Sequence, residues 1–135
     1  MQLTHFFLAA TNIYGILPFI FANGIFEKSL VVATVVSSVA MHLSETKHTL
    51  MPSPVLDSWS NIFLNMDRGC AILSMIYLFP RWCKHGDFQQ VFILSAGLLA
   101  SGLGEMTGNV ILYSILHTIW HMAAYVTMTA LFALY

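Results

Sequence analysis

Between Leu3 and Phe26 the chain carries no Asp, Glu, Lys or Arg, and similar apolar runs recur along most of its length. A helix needs about 20 mostly apolar residues to cross the hydrocarbon core of a bilayer. Inside lipid, every backbone N–H and C=O must be paired within the protein, which leaves helices or a closed barrel. A membrane barrel requires apolar and polar side chains to alternate along short segments, and these runs show no such alternation. The expected fold class is therefore all-α: a polytopic transmembrane helix bundle forming a single domain.

Polar breaks divide the 135 residues into about five spans, at 3–26, 29–46, 59–78, 88–103 and 109–135. Glu27 and Lys28 mark the first break, and Lys47, His48, Pro52, Pro54 and Asp57 occupy the second. Pro80, Arg81, Trp82, Cys83, Lys84, His85, Gly86 and Asp87 read as the third, and Gly104 to Gly108 as the fourth. Gly97 with Ser101, and Gly104 with Gly108, have the small-x-x-x-small spacing that lets spans approach closely. Trp59 and Trp82 suit the membrane–water interface. Lys28, Arg81 and Lys84 fall on one side of the bundle and Lys47 on the other. That bias puts the N-terminus outside and the C-terminus inside. No cleavable leader is expected, because the first apolar run is too long for a signal segment and lacks a basic start.

Only 8% of the residues are charged while 58% are hydrophobic, against roughly 25% charged in soluble domains. Such a chain cannot clothe a water-facing surface, so membrane lipids are its expected partners. A net charge of −1 supplies no basic footprint, so nucleic acid is not an expected partner. Cys70 and Cys83 stand apart and make no disulfide framework. A multi-pass membrane location follows, and an endomembrane and the mitochondrial inner membrane both remain open.

Against this apolar background the ionisable residues stand out, and one placed inside a span points by default to function. His42 falls near the end of the second span, with Ser38 one helical turn before it on the same face. Asp67 falls about two turns into the third span. His117 and His121 make an H-x-x-x-H pair on the last. Alternating topology puts all three helices' polar groups in the same half of the bilayer. Three imidazoles from two helices are a zinc ligand set with one position open, and zinc so held activates a water for attack on a carbonyl. Asp67 would take that water's proton or orient the water, and Ser38 would hydrogen-bond the water or the developing oxyanion. Taken singly, each residue has a plainer reading: an i,i+4 histidine pair is common, His42 could be a wet interfacial side chain, and Ser38 a packing residue. Glu45 is expected to be solvated, with support of His42 as the alternative. Arg68 is expected to face away from Asp67, Cys70 to be a small core residue, and His5, His48 and His85 to be solvated.

The order Ser38-Val39-Ala40-Met41-His42, then Asp67 within Leu64-Asn65-Met66-Asp67-Arg68, then His117-Thr118-Ile119-Trp120-His121, resembles the CREST superfamily of membrane hydrolases. That superfamily includes alkaline ceramidases, the progestin and adiponectin receptors and a myomaker-like branch. The resemblance implies zinc held by His42, His117 and His121, with Ser38 and Asp67 beside the reacting water. The family usually has seven spans, so a short five-span form would lack two between the Asp helix and the final pair, and with them much of the acyl-chain cavity. Asp57 is the alternative to Asp67 as the site acid.

Three functions remain open at this stage. The first is a zinc-dependent hydrolase-like protein acting on lipid amide or ester bonds. The second is a non-catalytic complex subunit, held to other membrane subunits and retaining a structural zinc site. The third is a haem b-binding membrane subunit, with His42 and one histidine of the last span as axial ligands.

Overall fold

The computed structural model describes residues 3–45, 59–85 and 88–134, and every regular element among them is a helix. Helix α1 (Leu3–Thr11) passes through a 3-10 turn (Asn12–Gly15) into α2 (Ile16–Phe21). Next come α3 (Ile25–Ser44), α4 (Ser60–His85), α5 (Phe88–Met106) and α6 (Val110–Ala133). Four stretches are long and apolar enough to cross a membrane: Thr4–Phe21, Ile25–Ser44, Ser60–Lys84 and Val110–Ala133. The fourth expected span, α5, forms a helix but is not among them. Gln89, Gln90 and Glu105 lower its apolar character.

The helix ends differ from those expected, and local contacts explain why. Residues Glu27 and Lys28, read as a break, lie in the first turn of α3. The Glu27 carboxylate accepts hydrogen bonds from the backbone N–H groups of Asn23 (2.8 Å) and Gly24 (3.3 Å). It thereby satisfies donors that a helix start leaves orphaned. Residues 80–84, read as an exit loop, instead continue α4 through Pro80. Arg81 forms an ion pair with Glu27, Tyr77 donates to the same carboxylate, and Trp82 packs on the core. Those contacts hold the last turns of α4 against the start of α3. Likewise α5 runs on to Met106, so the chain turns at Thr107–Asn109, with Gly108 at φ +63°. The Asn109 side chain then caps α6 by accepting from the N–H groups of Ile111 and Leu112.

Helix α6 packs on α1, α2 and α5, and α3 packs on α1 and α4. Of the small residues expected to bring spans together, Gly97, Ser101 and Gly104 do so between α5 and α6, whereas Gly108 lies in the turn with nothing packed against it. A methyl group added at Gly97 would lie 2.8 Å from the Cβ of Ala123, well inside contact distance. One end of the bundle is an apolar core of Ala22, Val31, Leu78, Met128, Leu131 and Phe132. The outer faces are apolar as well: Ile20, Ile76, Phe92, Leu99 and Ile111 are each more than half exposed. In water such faces would drive association, whereas lipid matches them. Many of the buried polar side chains gather towards the other end, where side chains of α1, α3 and α5 reach those of α6.

Candidate metal centre

His42 lies in the last turn of α3 and is fully buried; His117 and His121, one turn apart on α6, are buried too. One ligand nitrogen from each ring falls within 4.8 Å of the others. The Nε2 atoms of His42 and His121 are 3.3 Å apart. The rings are packed edge to face, with centroids 4.8 to 5.1 Å apart. Helix periodicity explains the α6 pair, since i and i+4 share a face. The third ring comes from a different helix.

The opposite edges of the rings meet polar partners. Thr11 Oγ1 is 2.6 Å from His121 Nδ1, and Ser101 Oγ is 2.9 Å from His117 Nδ1. His42 Nδ1 faces the Glu45 carboxylate at 3.6 Å, and Tyr113 donates its hydroxyl proton to that carboxylate. His5 donates from Nδ1 to the His42 carbonyl oxygen at 2.9 Å, fixing α3 against α1. Metal-ligating histidines in proteins have outer partners of this sort, which hold ring orientation and tautomer.

The other expected site residues join the cluster. Ser38 Oγ is 3.3 Å from His121 Nε2. Asp67, half-buried on α4, faces the same cleft as Ser38 and His121. Ser38, Asp67 and His121 line the head of a largely apolar cleft. The cleft continues along α4 and α6 past Ala71, Met75, Met128 and Leu131 to Trp82, with Leu94 of α5 on its wall. Along α4 the distance from Asp67 to Trp82 is roughly 22 Å at the helical rise.

Two sequence expectations fail here. His5, expected to be solvated, is buried and hydrogen-bonded, because α1 lies against α3 at the level of His42. Glu45, also expected to be solvated, is partly buried between His42 and Tyr113. Arg68 is exposed. Cys70 is partly buried and Cys83 exposed. His48 and Asp57 lie outside the described residues, as does the side chain of His85; among the described residues Asp67 and Glu45 are the acids beside the cluster. Thr11, Ser101 and Tyr113 escaped the sequence reading. Ser101 had drawn notice only for its spacing from Gly97, and Thr11 carried no signal at all.

Fold and site together define a class: an apolar helical bundle with a buried cluster of three histidines that could hold a metal ion. No protein-family model, curated protein or solved structure matches the chain.

Proposed function

We propose that His42, His117 and His121 hold a zinc ion and that the protein is a membrane-embedded hydrolase of lipid amide or ester bonds. The observation that carries this reading is the convergence of three buried imidazoles with two facing nitrogens 3.3 Å apart. Two nitrogens bound at about 2.0–2.1 Å in a tetrahedral zinc site stand about 3.3 Å apart. No carboxylate belongs to this group, so the donor set is neutral and suits a borderline-soft cation. A porphyrin would have to pass through the same 3.3 Å gap to use His42 and His121 as axial ligands, and the His42 and His117 rings, with centroids 4.8 Å apart edge to face, leave no wider opening, which disfavours haem.

Zinc in such a site supplies a polarised carbonyl and an activated water. The chain's own residues do the rest. Asp67 accepts the proton released when water attacks and returns it to the departing nitrogen or oxygen, as a general base and then acid. Ser38 Oγ, 3.3 Å from His121 Nε2 and on the same cleft as Asp67, would turn its one proton to the oxyanion as that charge develops. The cleft leading away from these groups is largely apolar, but its volume of about 70 Å³ is well below the roughly 300 Å³ of a preformed ligand pocket, so a lipid chain would enter only as α4 and α6 part. The ordered match of five residues to the CREST pattern supports the same chemistry.

The test is elemental analysis of the purified protein combined with turnover of ceramide-type and acylglycerol lipids in mixed micelles. One zinc per chain and turnover abolished in Asp67→Asn, with zinc retained, are the expected results. Zinc without turnover of any acyl lipid would favour the reading as a subunit with a structural zinc. The broad apolar faces of α4 and α5 leave room for neighbouring subunits.

A further inference from the structure

Helix α1 bears no residue of the proposed ligand set, yet its last turn reaches the centre. Thr11 is buried, and its Oγ1 has two close polar neighbours: the Leu8 carbonyl oxygen and His121 Nδ1, both at 2.6 Å. A threonine hydroxyl has one proton and two lone pairs. The carbonyl can only accept, so it takes that proton. The remaining contact is favourable only when Thr11 accepts from a protonated Nδ1 of His121. A neutral imidazole carries one proton, so Nε2 of His121 is then a bare lone pair. That nitrogen is the one aimed at His42 and Ser38.

The next residue strengthens the placement. Asn12 Oδ1 accepts from the Tyr125 hydroxyl at 2.6 Å, and Tyr125 is one helical turn beyond His121 on α6. The last residue of α1 and the first of the 3-10 turn thus grip residues i and i+4 of one α6 face. The 3-10 turn that begins at Asn12 tightens the backbone where this grip occurs. Asn12 Nδ2 also donates to the Leu8 carbonyl at 3.3 Å, so Leu8 O is the fixed reference from which both side chains are oriented.

We propose that Thr11 is a positioning residue that selects the Nδ1–H tautomer of His121 and so presents Nε2 to the metal. The role in metal binding rests on the zinc reading above, but the tautomer itself does not. Thr11→Val keeps the shape and removes the acceptor, while Thr11→Ser keeps the acceptor.

Two measurements on the full-length protein in detergent decide the matter. In the metal-free protein, 15N-detected spectra of ring-labelled histidine should report His121 as the Nδ1–H tautomer in wild type and Thr11→Ser, with that preference lost in Thr11→Val. In chelator competition with cobalt, Thr11→Val should bind about 10- to 100-fold more weakly than wild type and show altered visible absorption, while Thr11→Ser restores both. An Nε2–H tautomer in wild type, or Thr11→Val matching wild type in tautomer and affinity, overturns the proposal. Wild type that takes up neither cobalt nor zinc overturns the metal reading, and the tautomer spectra still judge Thr11. Should Thr11→Val not fold, the wild-type tautomer and the Thr11→Ser affinity remain decisive.

Discussion

A buried imidazole in an apolar bundle costs free energy unless its polar atoms are matched, and three of them touching one another multiply that cost. His42 illustrates the point, being fully buried with Nε2 facing another imidazole at 3.3 Å. A shared cation would resolve the conflict. At this scale the sharpest expectation concerns the α5 partner. Ser101→Ala removes the hydroxyl 2.9 Å from His117 Nδ1 and leaves the ligand nitrogens untouched. Metal affinity should fall about tenfold, read by chelator competition, with far-ultraviolet circular dichroism unchanged. His117→Ala should instead abolish stoichiometric zinc. The three histidines and Asp67 were legible in the sequence because any ionisable group in a long apolar run is conspicuous. Thr11 and Ser101 were not, since hydroxyl residues fill spans for packing reasons too. His5 was misread because its place near the chain start says nothing about which helix lies over it.

Element ends are set by contacts that no local pattern reveals. The apolar runs placed every helix, but α3 begins earlier and α4 ends later than their polarity suggests. The polar residues at those ends satisfy one another: Glu27 accepts from Asn23 and Gly24 and pairs with Arg81 and Tyr77. Arg81 also lies over the rings of Tyr77 and Phe132. Removing one partner of a buried pair costs about 3–5 kcal/mol. Arg81 is a quarter exposed (26%), so Arg81→Met should fall at or below about 3 kcal/mol. Adding Glu27→Gln to Arg81→Met should cost less than the two single changes summed, and thermal unfolding in detergent would show a full sum if the pair contributes nothing. A second element-scale expectation follows from Gly97. Its missing Cβ lets α5 lie against Ala123 of α6, and Ser101, one turn on, thereby reaches His117. Gly97→Val should lift α5 and weaken metal binding although residue 97 touches no ligand. Unchanged affinity in that variant would mean α5 contributes nothing to the site.

For the molecule as a whole, the polar cluster ties together helices that the apolar core alone does not. The proposed ligands come from α3 and α6, while their outer partners come from α1 through Thr11 and from α5 through Ser101. His5 adds a further tie from α1 to the α3 backbone. A metal at this junction would therefore brace most of the bundle and bind the folded state alone, because unfolding separates His42 from the α6 pair. A ligand of that kind stabilises by an amount that grows with the logarithm of its free concentration, about 4.1 kcal/mol at a thousand times Kd. Thermal unfolding of the detergent-solubilised protein should accordingly shift upward with each tenfold rise in free zinc, by a constant increment, and chelation should reverse the shift. His42→Ala should flatten that dependence while leaving a helical bundle, since the apolar core of Val31, Leu78, Met128, Leu131 and Phe132 lies at the opposite end. An unfolding temperature indifferent to zinc in wild type would show that the three rings meet without a cation. The burial of His42, His117 and His121 would then need a different compensation, and the hydrolase reading would lose its physical basis.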